Sequence, residues 1–293
     1  MPSLKEVRNR IVSIGSTMQI TSAMKMVSAA KLKRAQDAIT QMRPYANKLK
    51  EILENVSASV DASENVYARK TDGKNILIIA ISSNRGLAGA FNGNIIKKTN
   101  QLIKEKYTGC NITVIPIGKK VQDAFKRTQY IISGQDLPHN TNEVFDGLNY
   151  DKASPIAEKV MNSFLNKQFD KVVLVYNQFK NAAVQITTEE QMLPIDSSTN
   201  NDSKKLNTDY IFEPNQEFIV NDLIPRSLKT QFYKALLDSV ASEHGARMTA
   251  MHKATDNAKS MQKDLKIMYN KARQASITKE ILEIVGGAEA LNN

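Results

Sequence analysis

Serine, asparagine, arginine and glycine crowd one short stretch of this 293-residue chain, Ser82-Ser83-Asn84-Arg85-Gly86-Leu87-Ala88-Gly89, between an apolar run and an amphipathic one. A strand-to-helix turn of this kind is where nucleotide-binding folds cradle a phosphate on backbone N–H groups. The spacing matches neither the three-glycine dinucleotide pattern nor the phosphate loop ending in Gly-Lys-Ser/Thr. No acidic residue stands about 20 positions downstream at the end of a second strand, where a ribose would need it. The expectation is a tight turn and helix cap. Cys110 is the one cysteine, so an intrachain disulfide and a multi-thiolate zinc site are excluded. His244 and His252 lie eight apart on a helical pattern, not as the adjacent-turn pair that metals prefer, and His139 sits in a Pro/Asn loop. The carboxylates are scattered, with no pair suited to acid and base roles. These residues offer no catalytic, metal or cofactor site.

Charge points to a partner instead. Lys+Arg 40 against Asp+Glu 30 gives +10, and residues 1–50 hold ten basic groups against only Glu6 and Asp37. A basic arm on a nearly neutral body suits nucleic acid, anionic lipid or an acidic protein. Lys5, Arg8, Arg10, Lys31, Lys33 and Arg34 could line a nucleic-acid-binding helix, but aromatics are 6% of the chain, Trp is absent, and none interleave with these cations. That favours an acidic protein partner. No apolar stretch is long enough to span a membrane, and the N-terminus lacks the apolar core of a signal peptide.

The elements that position these groups are legible from periodicity. Alternate steps of three and four from Leu4 meet Val7, Ile11, Ile14, Met18, Thr21, Lys25, Ser28, Leu32, Ala35, Ile39, Met42, Ala46, Leu49, Leu53, Val56 and Val60. All are apolar except three consecutive positions, which is a coiled-coil seam. The spacing predicts one helix from Ser3 to Val60, capped by Ser3 with Glu6 and kinked or strained at Pro44. A second seam runs Thr230, Tyr233, Leu237, Val240, His244, Arg247, Met251, Ala254, Ala258, Met261, Leu265, Met268, Ala272, Ala275, Lys279 and Leu282. Pro214 reads as a first-turn proline, Pro225 as a bend, and Gly286-Gly287 as a point of fraying. The two helices bracket one middle domain, so they pair antiparallel, with Met1 near residue 273. The tip beyond is left unpaired, and its stripe of Ile277, Ile281, Ile284, Val285, Ala288 and Leu291 is a binding surface. At Thr21, Lys25 and Ser28 the seam turns polar while Ala23, Met24, Met26, Val27, Ala29 and Ala30 spread apolar surface around the helix. Either the seam shifts there, or this stretch is enclosed by another protein.

Between the helices, strands at Ile76–Ile81, Asn111–Ile117, Tyr130–Ile132 and Val172–Tyr176 alternate with helices at 91–107, 119–127 and 151–166. Residues 183–193 alternate as an edge strand, and 196–209 form a loop. This alternation predicts a mostly parallel sheet flanked by helices. The fold class is therefore α/β: a long antiparallel coiled coil of residues 1–60 and 214–293, plus a Rossmann-like domain over 61–213.

Several runs carry a family resemblance. Met18-Gln19-Ile20-Thr21-Ser22-Ala23-Met24-Lys25-Met26-Val27-Ser28-Ala29-Ala30-Lys31-Leu32, Ala246-Arg247-Met248-Thr249-Ala250-Met251, and Tyr269 to Thr278 with Glu280 to Val285 resemble the gamma subunits of F-type ATP synthases. Ser83-Asn84-Arg85-Gly86-Leu87 is similar to that family's Ser-Asp-Arg-Gly-Leu turn, with Asn84 in place of Asp and Ala88 in place of a frequent Cys. The resemblance covers the whole chain. It implies a rotor shaft that couples proton-driven rotation of a membrane c-ring to cycling of the catalytic beta subunits, with no bond chemistry and no cofactor of its own. The implied partners are three alpha and three beta subunits, epsilon and the c-ring, with the membrane met only through the complex and no nucleic acid. Met24 and Arg247, with Lys25 beside them, match positions facing an acidic catalytic-subunit loop. Arg273, Gln274 and Thr278 match a polar contact with a beta subunit, and Ile281, Leu282 and Val285 lie in the tip that the family seats in an apolar sleeve. One cysteine excludes the chloroplast dithiol insert and no targeting segment is evident, which implies a bacterial protein at the cytoplasmic face of the inner membrane. The alternative is a nucleotide-binding α/β enzyme with helical arms.

Overall fold

The computed structural model describes residues 3–59, 66–69, 73–131, 137–139, 141–195 and 216–292. The expected loop at 196–209, Pro214 and Ile132 lie outside them. The chain divides into two compact units, Met1–Ser28 with Arg247–Asn293, and Ala29–Ala246. Two long helices, α1 (Leu4–Ser59) and α5 (Gln216–Asn292), each contribute to both.

In the larger unit a four-stranded sheet has the order β2-β1-β3-β4. β1 (Asn75–Ile81) pairs in parallel with β2 (Asn111–Ile117) and with β3 (Lys171–Phe179), and β4 (Gln185–Leu193) closes one edge antiparallel to β3. The central strand β1 is apolar on both sides because both faces are covered. On one face, Ile76, Ile78 and Ala80 pack with Ile95, Leu102, Val121 and Phe125 from α2 (Phe91–Gln101), the turn after it, and α3 (Lys119–Phe125). On the other, Leu77, Ile79 and Ile81 pack with Ala157, Val160 and Phe164 of α4 (Tyr150–Leu165) and with Ile224, Leu228, Phe232 and Leu236 of α5.

Local detail departs from expectation in ways that packing explains. The expected helix 91–107 switches to a π-helical turn over Leu102–Lys106, closed by the Tyr107 N–H donating to Leu102 O at 2.9 Å. That extra residue per turn brings Leu102, Ile103 and Tyr107 all inward. Of the strand expected at 130–132, the described residues show one parallel bridge, between Ile131 and Val114. α1 continues through Pro44 and α5 through Pro225, and α5 also runs past Gly286-Gly287 to Asn292, so the expected fraying there is not seen.

The smaller unit is helix on helix. Thr21 Oγ1 meets Thr255 Oγ1 at 2.8 Å, and a Cβ on Gly15 would come 3.1 Å from Gln262 Nε2. As α1 steps back, α5 steps forward, so the two run antiparallel. The α1 seam is observed as read: Val7, Thr21 and Ser28 are buried, and Leu4, Ile11, Ile14, Met18 and Lys25 are half-buried. The α5 seam is corrected: beyond Ala258 the inward residues are Gln262, Leu265, Tyr269 and Ala272, while Met261 and Met268 are exposed. The bare Gly15 opposite lets Gln262 fold in where an apolar flank was expected.

Candidate functional site

β1 delivers Ser82 and Ser83 to the carboxyl ends of the parallel strands, the place where this fold class binds nucleotides. Their surroundings are already occupied by the chain itself. Ser82 Oγ accepts from the Val121 N–H at 3.0 Å, capping α3, and Ser83 O accepts from Lys120 N–H at 3.2 Å. The Ser83 N–H donates to Asn92 Oδ1 at 3.0 Å. Asn84 ties two loops, its Oδ1 accepting from Lys119 N–H at 3.1 Å and its Nδ2 donating to Asn142 O at 2.9 Å. Asn142 Oδ1 accepts from the Gly118 N–H at 2.9 Å. The N–H groups of residues 83 and 118–121 are thus engaged within the chain, and the turn is a joint between the β1–α2 and β2–α3 loops. Gly118 makes the joint possible: it has φ +102, and a Cβ there would lie 2.2 Å from Ser82 O.

Along α1 the polar interruption does not shift the seam. Thr21 stays inward, bonded to Thr255 and donating to Met18 O at 3.1 Å, and Ser28 Oγ donates to Met24 O at 2.8 Å. Short hydroxyls can be buried here because each finds a backbone carbonyl one turn back. The apolar residues outside the seam remain outside: Ile20, Met26 and Val27 are 60%, 65% and 57% exposed, with Ala23 and Ala30 also exposed. Met24 and Lys25 are half-buried on this helix, whereas Arg247 on α5 is buried at 7% exposure. Contiguous exposed apolar surface beside cations marks a place where another molecule sits.

The α5 tip is the second such surface. Among the residues whose side chains are described, Ala272 is the last half-buried one, and every residue from Arg273 to 288 is exposed. Arg273, Gln274 and Thr278 lie together there, with Thr278 Oγ1 donating to Gln274 O at 3.0 Å. Ile277, Ile281, Leu282, Ile284 and Val285 are all close to half exposed or more.

One constellation in the larger unit escaped the sequence reading. Asp238 of α5 is fully buried, and its Oδ1 accepts from Arg43 Nη2 of α1 at 2.7 Å and from the Phe179 N–H at 3.2 Å. Arg43 Nη2 also donates to Phe179 O at 2.6 Å. Burial pushes the Asp238 carboxyl above its ordinary range, with Arg43 pulling the other way. The signal was a lone acid in the otherwise uncharged run from Ala235 to Ser242. Elsewhere, burial raises the Glu189 carboxyl, but Lys106 and Lys98 (3.3 Å) outweigh it and hold it below the usual range. Among the described residues no cluster of His, Cys, Asp and Glu forms a metal site, and no helix is long and apolar enough to cross a membrane.

A family model described as ATP synthase matches residues 3–291. The ATP synthase gamma chain of Christiangramia forsetii is 59% identical over 293 residues, covering all of both chains. That of Cytophaga hutchinsonii is 55% identical over the full length of both, and that of Chlorobaculum tepidum 44% identical over 99% of each. Among solved structures, a chain of the Euglena gracilis mitochondrial ATP synthase OSCP/F1/c-ring assembly shares the fold, with TM-score 0.66 and 21% identity over 98% of this chain and 94% of that one. A chain of the Tetrahymena thermophila mitochondrial central stalk/c-ring structure gives TM-score 0.56 at 25% identity, covering 80% of this chain and 99% of that one. The chain therefore belongs to the gamma-chain family of the F-type ATP synthases, the central shaft of that rotary enzyme.

Proposed function

We propose that this chain turns inside a ring of three alpha and three beta subunits, stands on epsilon and the membrane c-ring, and does no bond chemistry itself. It meets the membrane only through the complex, at the cytoplasmic face of a bacterial inner membrane. Rotation driven by proton flow carries the lopsided pair of helices past each beta subunit in turn, and each changes its nucleotide affinity as the shaft passes. In this reading Met24 and Lys25 face an acidic loop of the catalytic subunit, and Arg247 adds only the small part of its surface left outside the coil. Arg273, Gln274 and Thr278 make polar contact with a beta subunit, while Ile281, Leu282 and Val285 ride in an apolar sleeve. The charge of residues 1–50 suits acidic loops, because exposed cations attract at long range without one deep trap.

The observation that carries this reading is the bare apolar tip of α5. Five large apolar side chains, each from about half to two-thirds exposed, represent about 5 kcal/mol of burial before the costs of association. The bonding of Asn84 and Asn142 across the two loops at this turn counts against the alternative of a nucleotide-binding enzyme. A pull-down with the tagged chain tests the proposal: alpha and beta subunits are expected at three each per chain, and the isolated chain is expected to retain neither ATP nor NAD. Tight nucleotide binding by the chain alone, or recovery without alpha and beta, would overturn it.

A further inference from the structure

A single guanidinium ties three elements of the larger unit together: Arg43 of α1 bonds Asp238 of α5 and the carbonyl of Phe179, the last residue of β3. The Phe179 N–H closes the circuit onto Asp238. Just beyond, the β3–β4 connection presses on α5, where a Cβ on Gly245 would lie 3.2 Å from Ala182 Cα. Between Asp238 and the β3–β4 connection the buried α5 residues are small, Ala241, Ser242 and Gly245, a smooth surface that does not by itself fix a register, while the large Phe232, Leu236 and Leu237 pack on the other side of the pair. An ion pair with a fully buried carboxylate and a half-buried guanidinium is a poor device for stability alone, since apolar residues of similar volume commonly do as well or better. Here Asp238 Oδ2, Arg43 Nε and the nearby Ser242 Oγ are all buried with no bonding partner, which adds to the cost. What the charges supply is direction: both bonds of Arg43 exist only at one rotation and one offset of the helices.

We propose that Arg43 and Asp238 are positioning residues whose ion pair sets the rotation and register at which the sheet domain grips the two long helices. The inference rests on the shaft reading above and names the grip through which turning force passes between the sheet domain and those helices. Without it the apolar contacts still hold the elements together, but they permit sliding under load.

The test is the double variant R43M/D238L in the complex assembled with its alpha, beta, epsilon and membrane subunits in vesicles. The melting midpoint of the chain, the rate of ATP hydrolysis and ATP-driven proton uptake are measured together. The expected result is an unchanged or higher midpoint, retained hydrolysis, and protons pumped per ATP reduced about threefold or more. R43K, which keeps one charged donor for Asp238, falls between the variant and wild type. Wild-type pumping per ATP in R43M/D238L overturns the proposal, and so does a midpoint far below wild type, which makes the pair a stability element. Failure of the unsubstituted chain to assemble overturns the shaft reading and the inference with it, and is told apart by appearing before any substitution.

Discussion

Asp238 shows how much one buried atom pair asks of its neighbours. Its carboxyl faces Arg43 and the Phe179 amide, with Lys234 and the Tyr176 hydroxyl also within electrostatic range. Replacing Arg43 alone leaves a buried, uncompensated charge, so Arg43→Met is expected to cost about 3 kcal/mol at neutral pH. Asp238 has a folded pKa raised above 3.8, so its favourable contribution is complete below that value and lost as pH rises through the folded one. Removing Arg43 raises the folded pKa further. The deficit of the variant is therefore largest near pH 7 and shrinks toward pH 4, which urea denaturation at the two pH values checks. Gly118 is the second residue with no substitute. Gly118→Ala forces a side chain into φ +102 and against the Ser82 carbonyl, backbone that cannot swing away. A loss of about 3 kcal/mol is expected, read as a lower denaturation midpoint.

Helices α1 and α5 meet through a polar contact at the middle of their seam. The Thr21–Thr255 hydroxyl pair is the helical counterpart of a buried polar residue in a coiled coil, which specifies alignment at some cost in stability. Either single change to valine is expected to cost about 1 kcal/mol, because one hydroxyl loses its cross-helix partner. T21V/T255V removes both and is expected to be less than additive, close to neutral, in a double-mutant cycle of unfolding free energies. A fully additive cycle would mean that the hydroxyls act only on their own helices, through Met18 O and Met251 O.

For the whole molecule, the exposure of α5 beyond Ala272 separates folding from function. Residues 273–288 touch little of their own chain, so ending the protein at Ala272 is expected to leave the melting midpoint unchanged within about 1 °C. The same truncation removes the apolar stripe and is expected to weaken association with alpha and beta subunits at least about tenfold, by pull-down or titration. A large drop in the midpoint would show that the tip folds back on the chain.

Periodicity carried most of this architecture in the sequence. A seam from Leu4 to Leu49 is written in side-chain size and spacing, and helix geometry converts spacing directly into a face, so α1 and most of its buried residues were legible. β1, β2 and β3 were legible for the same reason, as apolar runs bounded by turns. The exposed tip followed from the unequal lengths of the two helices. What the sequence left open was set by contacts between residues far apart in the chain. Whether Thr21 lies in the seam or the seam moves depends on finding Thr255, 234 positions away. Whether the Ser82–Gly89 turn is a phosphate cradle or a joint depends on Asn142 and Gly118 filling it. Asp238 looks like an ordinary helix charge until Arg43 and Phe179 close around it. Local periodicity depends only on near neighbours, but the satisfaction of a buried donor or acceptor depends on which distant group arrives, and only the folded chain decides that.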